Sequence, residues 1–481
     1  MSSSFTHAIL TLVGAFGAAL IAHKFYKAIR WALHPWFSPL RDVPGPVAPS
    51  WLYGHIRQLT SGEMEILDKL EEFEGVYGRV FKFKGLFNRD RLVMMDTRAL
   101  NHVLTHDMQY VKPERVRHSL GQVFGQGLLF VEGEKHKKQR KVMNPAFGPA
   151  QIRELTGIFV EKSIQVRAHP RFVLPYIDSP TKLRDLWTTE LTTSNGKATI
   201  DVMGWLNKMT LDVIGLAGFS YSFDALNPDG NPNELNDAVR MMFAKPDRSA
   251  LTILQSIFPP LRMIPSESQH GRFAAQRTMS RIGHQLITEK KAAVLASMGT
   301  ARKETVRSKA EAVQGRDLLS LLIKANMAMD LPESARMDDD DVLAHGEWVD
   351  AKGVKRTGVR VSKGDLVSIP IMAINRSKTL WGEDAAQFKP ERWKNPPDAV
   401  ASIPGVWGNS LAFLGGNRAC IGFRFSIIEM KALLFVLIRA FQFEMAVPVG
   451  DVLVQVSIVQ RPFLKNEMEK GPQLPLLVTL V

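Results

Sequence analysis

The chain has 481 residues, 45% of them hydrophobic and 23% charged, so it can bury a large core and falls outside the small, disulfide-dense secreted class. Its single cysteine excludes an internal disulfide and indicates a protein that does not rely on oxidation. The formal net charge of +13 fits an anionic membrane or an acidic partner protein, and because no nucleic-acid-binding motif accompanies it, we expect no nucleic acid partner.

The N-terminus predicts a membrane anchor. Residues 5–22 carry no formal charge over 18 positions, about 27 Å as a helix, which just crosses a hydrocarbon core. Lys24, Lys27 and Arg30 follow this stretch and no Lys or Arg precedes it, so the positive-inside rule leaves the rest of the chain in the cytoplasm. We expect a single-pass anchor in contact with membrane lipid, with a cleaved signal or an interfacial helix as alternatives.

A stiff hinge is predicted after the anchor. The stretch 40–46 contains Pro44 and Pro46 and can be neither helix nor central strand. The sequence therefore divides into an anchor with its basic flank (1–30), a proline- and glycine-containing hinge (31–50) and one large domain (51–481).

Two short strands come next, at 78–84 and 91–95, with a turn at 88–90 between them. Apolar and polar residues alternate in the first of these runs, and β-forming residues dominate it. They indicate a small sheet.

A basic helix is predicted from Gly133 onward. His136 and Arg140 lie four residues apart and therefore on one helical face. This face either binds an anionic group or is an ordinary solvated basic face, and the second interpretation is supported by the surrounding Lys135, Lys137, Lys138 and Lys141.

The middle of the chain is mostly helical in pattern. Residues 200–219 and 272–295 carry apolar residues at helical spacing, whereas residues 166–182 interrupt the pattern with three prolines. Together with the short strands, these segments predict a mainly α fold with a small β-region.

The most informative segment presents the only thiol, Cys420, just before a long apolar helix pattern. Glycines on both sides of it remove side chains around the sulfur, which would let the backbone approach a flat ligand closely. Arg418 supplies a positive charge that favours a thiolate. A thiolate in this setting can hold haem iron from one side, and the alternative is an inert buried cysteine.

The run 413–422 fills every fixed position of the pattern Phe-x-x-Gly-x-Arg-x-Cys-x-Gly, with Phe413, Gly416, Arg418, Cys420 and Gly422. It resembles the haem-binding loop of the cytochrome P450 family, the haem-thiolate monooxygenases. Residues 388–393, Phe-Lys-Pro-Glu-Arg-Trp, resemble the same family's Pro-Glu-Arg-Phe meander. Five fixed residues in ten are a far more specific signal than a short glycine motif.

The resemblance implies haem b with Cys420 as its axial iron ligand, Phe413 packed beside the sulfur and Arg418 at a haem propionate. It also implies that His136 and Arg140 face the propionates. The implied reaction inserts one oxygen atom from O₂ into a small organic substrate, with electrons from an NADPH-dependent reductase. The resemblance to microsomal members of the family places the anchor in the endoplasmic reticulum membrane.

Part of the family pattern is missing. The distal helix with Ala-Gly-x-x-Thr and the helix with Glu-x-x-Arg should lie between 320 and 360, where only 41 residues remain. We therefore expect an internal gap near 342–360, and we expect Arg392 to lack the buried partner that the family's Glu-Arg-Arg network would give it. A skipped exon, an imperfect gene model or a genuinely shortened paralogue would each produce this gap.

Residues 166–182 are an extra loop relative to the family, for which a translated intron is one hypothesis. Two alternatives to a working monooxygenase therefore stay open: a haem-binding protein without turnover, and a haem-free, membrane-tethered remnant of the family.

Overall fold

The computed structural model describes single residues between 15 and 37, residues 38–58, 63–163, 183–227 and 233–242, single residues between 251 and 264, and residues 267–300, 317–320, 342–343, 348–349, 354–356, 358–455 and 460–481. Most of the predicted anchor at 5–22 and the whole proline-containing segment at 166–182 lie outside the described residues.

Helices predominate in the described part of the chain. The twelve α-helices there are α1 (Glu63–Tyr77), α2 (Thr97–Thr105), α3 (Glu114–Phe124), α4 (Gly133–Met143), α5 (Pro149–Ser163), α6 (Leu183–Thr193), α7 (Val202–Ile214), α8 (Glu234–Met242), α9 (Glu267–Thr300), α10 (Ile371–Asn375), α11 (Lys378–Trp381) and α12 (Phe423–Ala440).

The strands are short. They are β1 (Val80–Lys84), β2 (Asp90–Met94), β3 (Lys197–Asp201), β4 (Val342–Leu343), β5 (Trp348–Val349), β6 (Lys355–Arg356), β7 (Val359–Arg360), β8 (Leu366–Ser368), β9 (Phe441–Met445), β10 (Val452–Gln455), β11 (Arg461–Leu464) and β12 (Pro475–Leu480). The prediction of a mainly α fold with a small β-region is confirmed.

The chain divides into two compact units, and the first contains Met1–Tyr110 and Arg336–Ala419. Its main sheet has the order β1-β2-β8, with β1 and β2 antiparallel and β8 parallel to β2. The pairs β4–β7 and β5–β6 are two-residue ladders. Apolar side chains of the sheet and of α2 form its core, with Phe81, Leu92 and Leu100 fully buried.

The second unit contains Val111–Ala335 and Cys420–Val481. Helix α12 packs against α5, where the rings of Phe425 and Phe159 lie 4.7 Å apart. An antiparallel sheet of order β3-β12-β9 borders the core around the fully buried Trp187, and β10 pairs with β11.

The strands predicted around the turn at 88–90 are confirmed as β1 and β2, in which Val80 pairs with Met94. The helix predicted from residue 200 begins instead at Val202, because Ile200 and Asp201 belong to β3 and pair with β12. The Asp201 side chain also accepts a hydrogen bond from the Leu474 backbone N–H at 2.8 Å. Because β3 and β12 are far apart in sequence, no local sequence pattern predicts that they pair.

Candidate active site

Cys420 lies in the connection between the 3₁₀ turn Gly416–Arg418 and the start of α12 at Phe423. Its thiol is exposed. The first hydrogen bond of the helix that follows runs from the Ser426 N–H to the Gly422 carbonyl at 3.0 Å. The buried cysteine that the sequence left open as an alternative does not describe this residue, because Cys420 is exposed.

The glycines around Cys420 serve two different purposes. A Cβ on Gly415 would lie 1.7 Å from the Pro404 carbonyl oxygen, and a Cβ on Gly416, whose φ is +61°, would lie 2.2 Å from the Leu104 carbonyl oxygen. These two glycines therefore let the protein's own backbone pack closely. A Cβ on Gly422 would meet the Phe147 ring at 3.7 Å, an ordinary contact. Only Gly422 remains for the predicted role of leaving room for a ligand.

Arg418 binds the turn 416–418 to other backbone of the first unit. Its guanidinium donates to the Tyr110 carbonyl at 2.7 Å and to the Asp107 carbonyl at 2.9 Å. Asn417 adds two bonds, to the Thr105 carbonyl at 3.0 Å and to the Asp107 carboxylate at 2.8 Å. Sequence reasoning missed Asn417, which occupies an unspecified position of the motif. These contacts give Arg418 a structural task besides the predicted one at a propionate.

Helix α4 separates its two ligand candidates from its lysines. His136 is buried and Arg140 is half-buried, whereas the lysines at 135, 137, 138 and 141 are exposed. Burial lowers the pKa of Arg140, and the charge of Cys420 acts in the opposite direction. Arg140 thus lies within electrostatic range of the thiol in the second unit. The purely solvated basic face therefore applies to the lysines and not to His136 or Arg140.

The predicted site residues fall into both units. Phe413, half-buried, belongs to the first unit together with Gly416 and Arg418. Cys420 and Gly422 belong to the second unit with His136 and Arg140.

Arg392 is paired with a residue outside the Glu-Arg-Arg network that the family pattern implies. Its guanidinium, 8% exposed, donates to the Asp384 carboxylate at 2.6 Å, to the Asp384 carbonyl at 2.7 Å and to the Trp381 carbonyl at 2.9 Å. Hydrogen bonds from Lys389 and Arg392 lower the pKa of Asp384 to about 2. A carboxylate eight residues away along the chain therefore compensates the charge locally.

Comparisons with known proteins point to the same family as the loop around Cys420. The model of the family "Cytochrome P450" matches residues 43–169 and 349–463. Cytochrome P450 monooxygenases 205 and 128 of Postia placenta are each 42% identical to the chain, over 96% of this chain and 97% of the relative. Cytochrome P450 monooxygenase claO of Ampulloclitocybe clavipes is 28% identical over 92% of the chain and 93% of its own length. The chain belongs to the cytochrome P450 family, and by that resemblance it is an oxidoreductase of the monooxygenase type.

The alignment lengths carry further information. The alignment with monooxygenase 205 runs over 551 positions, which exceeds the 481 residues of this chain by 70. At least that many positions of the alignment therefore stand opposite gaps in this chain. The family match is interrupted between 169 and 349, the interval that contains most of the region where the sequence lacks the two family helices.

The helices of the described residues give no support to the prediction of a membrane anchor. Within the described part of the chain, no helix is both long enough and apolar enough to cross a bilayer.

Proposed function

We propose that this chain holds haem b through the Cys420 thiolate and acts as a monooxygenase on a small organic substrate, with electrons from an NADPH-dependent reductase. The observation that carries the proposal is that the only cysteine is exposed and stands just before α12, within the filled family pattern. Bound haem would supply the redox chemistry that transfers one oxygen atom from O₂ to the substrate.

The residues present fit this cofactor. Cys420 offers the single soft ligand that the iron requires, and a Cβ on Gly422 would meet nothing closer than the Phe147 ring at 3.7 Å among the contacts of the described residues. Arg140 and His136 lie on the covered face of α4, where Arg140 would neutralise the propionates with a contribution from Arg418, and His136 would donate a hydrogen bond to them. Phe413 would shield the sulfur from water. Each of these groups binds or orients, and none of them is required to move a proton.

The exposed lysines of α4 suit an acidic reductase. Lys135, Lys137, Lys138 and Lys141 follow one another on a single short helix, and the whole chain is strongly basic. Complementary charge of this kind raises association rates and makes them depend on salt. Charge reversal at Lys137 and Lys138 should slow electron delivery most at low ionic strength.

The spectrum of the reduced, CO-bound protein tests the haem assignment. Replacing Cys420 with Ala should abolish the thiolate-type Soret band, and an unchanged band would exclude Cys420 as ligand. Replacing Arg140 with Ala should lower haem occupancy while leaving the band of the remaining haem in place. Lys141→Ala, at the exposed neighbouring position, is the matched control and should retain full occupancy.

Residues 5–22 are proposed to anchor the chain in the endoplasmic reticulum membrane, with the domain facing the cytoplasm. The basic flank after the apolar stretch supports this orientation. Deleting residues 1–30 should move much of the protein from the membrane to the soluble fraction. Modification of a C-terminal glycosylation tag in microsomes would show that the orientation is reversed.

A haem-binding protein without turnover, or a haem-free remnant, is the second candidate, favoured by the alignment positions that this chain lacks. An assay with reductase and NADPH separates these functions. Turnover supports the enzyme, a thiolate-type spectrum without turnover supports the haem-binding protein, and absence of both supports the remnant.

A further inference from the structure

The turn 416–418 is held by the segment 105–110, at the C-terminal end of α2. We call this segment the α2 end. Two consecutive side chains of the turn make four hydrogen bonds to it, and both parts belong to the first unit. Asn417 forms two of these bonds, to the Thr105 carbonyl at 3.0 Å and to the Asp107 carboxylate at 2.8 Å.

Arg418 forms the other two bonds, to the Asp107 carbonyl at 2.9 Å and to the Tyr110 carbonyl at 2.7 Å. Backbone carbonyls at the end of a helix carry partial negative charge, which favours a cation there. Helix α2 satisfies an earlier carbonyl by itself, since the Thr105 hydroxyl donates to the Asn101 carbonyl at 2.7 Å. The α2 end is therefore an acceptor surface that matches the donors of the turn.

Asp107 contacts both side chains of the turn. Its carboxylate accepts from Asn417, and its carbonyl accepts from Arg418. The residue is only 8% exposed, and a carboxylate at this depth is costly unless it accepts hydrogen bonds. A hydrogen bond to an ionised carboxylate is also stronger than one between neutral groups. We therefore expect loss of the bond between Asp107 and Asn417 to loosen the turn as a whole.

Only one residue separates the turn from Cys420. Gly416, whose φ is +61°, lets the turn approach so closely that a Cβ would lie 2.2 Å from the Leu104 carbonyl oxygen. The Ala419 N–H, directly before the cysteine, donates to the Gly416 carbonyl at 3.2 Å. These contacts join protein groups to one another, so they preorganise the loop before a ligand binds.

We propose that Asp107 and Asn417 are positioning residues for the iron ligand: their hydrogen bond fixes the turn 416–418, so that Cys420 is presented to haem in one orientation. Neither residue is a fixed position of the ten-residue pattern, since Asn417 fills an unspecified place and Asp107 lies outside it. The proposal rests on the proposed function for the identity of the ligand, whereas fixation of the turn does not require haem.

The first test uses the haem-free chain and measures hydrogen exchange at the Ala419 N–H. Asn417→Asp places a carboxylate opposite two oxygen acceptors, the Asp107 carboxylate and the Thr105 carbonyl, and should accelerate exchange about tenfold or more. The swap Asp107→Asn/Asn417→Asp restores a donor opposite an acceptor and should recover most of the protection. Asn101→Asp, at an exposed position of α2, makes the same change of charge and should leave exchange unchanged. Acceleration that the swap does not reverse, or that the control reproduces, would overturn the proposal.

The second test uses the haem-loaded chain and the spectrum of its reduced, CO-bound form. Asn417→Asp should move part of the Soret absorption from the thiolate-type band to the band of haem without a thiolate ligand, and the swap should reverse this shift. A purely structural role predicts a lower urea midpoint with an unchanged band, and that result would overturn the proposal. A parent chain without any thiolate-type band would show that the haem assignment is wrong, whereas exchange at Ala419 would still decide whether this pair fixes the turn.

Milder variants cover the case in which Asn417→Asp does not fold. Asn417→Ala removes both donors without adding a charge and should accelerate exchange at the Ala419 N–H about fivefold. Asp107→Ala should also accelerate exchange, and the double variant should exceed Asn417→Ala by much less than the effect of Asp107→Ala alone, because the two changes remove the same bond. Fully additive effects would show that the two residues act separately and would overturn the proposal.

Discussion

At the scale of single residues, the glycines around Cys420 can be told apart by experiment. Gly415 and Gly416 are required by the carbonyl groups of Pro404 and Leu104, whereas a Cβ on Gly422 would meet the Phe147 ring at 3.7 Å, its nearest contact among the described residues beyond its chain neighbours. Of the two fixed glycines of the pattern, Gly416 therefore serves backbone packing, as does the neighbouring Gly415, whereas close backbone packing does not account for Gly422.

We predict that Gly415→Ala and Gly416→Ala each destabilise the haem-free protein by about 2 kcal/mol or more, because backbone must move to make room. Gly422→Ala should change the same quantity by about 1 kcal/mol or less and should act mainly on haem retention. Urea unfolding of the haem-free forms and haem content after reconstitution measure the two effects. Equal destabilisation by all three variants would contradict the distinction.

Glu429 makes the stability of the chain depend on pH. Burial raises its pKa to about 7, above its ordinary value of 4.5. The folded state therefore binds a proton more readily than the unfolded state, so the stabilisation is complete below pH 4.5 and is lost as pH rises through 7. The full loss is on the order of 3 kcal/mol.

We predict that Glu429→Gln, which cannot ionise, raises the free energy of unfolding at pH 8 and changes it little at pH 5. Urea midpoints at the two pH values measure the difference. Glu444→Gln, at an exposed position of β9, is the control and should be neutral at both. A Gln variant with the same pH dependence as the parent chain would show that Glu429 does not titrate as described.

At the scale of elements, Asp317 fastens three segments of the second unit. Its carboxylate accepts hydrogen bonds from Ser220 at 3.0 Å, from the Lys290 side chain of α9 at 3.0 Å, and from the Ser320 N–H and hydroxyl at 3.0 and 2.8 Å. Burial alone would raise the pKa of Asp317, but the bonds from Ser320 and Lys290 outweigh it, so the pKa is lowered below 3.8. The contribution of Asp317 to stability is therefore present above that value and is lost as pH falls through the lowered pKa.

We predict that Asp317→Asn destabilises the second unit by about 3 kcal/mol, because it leaves the ammonium group of Lys290, 15% exposed, without its charge partner. Glu234→Gln removes the partner of Arg281 in a pair that is more than half exposed, and it should lower the melting temperature much less than Asp317→Asn does. Thermal unfolding of both variants at neutral pH measures the contrast. Equal losses would mean that burial does not govern the strength of these pairs.

The elements also show what the sequence could predict. Strands β1 and β2 and the start of α12 follow from local alternation and spacing, and the structure has them where the patterns indicate. The start of α7 could not be read, because β12 takes Ile200 and Asp201 into a sheet. The family pattern gives no indication of the pairing between Arg392 and Asp384, because that pattern refers only to a partner far away in sequence. The roles of Asn417 and Gly415 depend on α2 and on Pro404, which no motif includes.

At the scale of the whole molecule, the chain keeps the thiol loop, α4 and the meander, whereas at least 70 positions of its alignment with monooxygenase 205 stand opposite gaps in this chain. The family match runs on both sides of the interruption, and the loop with Cys420 lies inside its second part. Local pairs such as Arg392–Asp384 show that the retained elements satisfy much of their charge among themselves. Haem binding and catalytic turnover can therefore be impaired to different degrees.

We predict that the chain as it stands has lower haem occupancy, a lower melting temperature and little substrate turnover compared with a form in which the missing segment is restored. The expected losses have separate causes. The sequence between residues 320 and 360 contains no Ala-Gly-x-x-Thr pattern, which in the family brings the alcohol that guides protons to oxygen. The apolar side chains of Leu434 and Ile438 on α12 are exposed to water. Haem content, thermal unfolding and product formation with reductase and NADPH, measured side by side, distinguish them. A restored form that gains stability without turnover would show that other residues limit catalysis, and equal turnover by the two forms would show that the missing segment does not carry the chemistry.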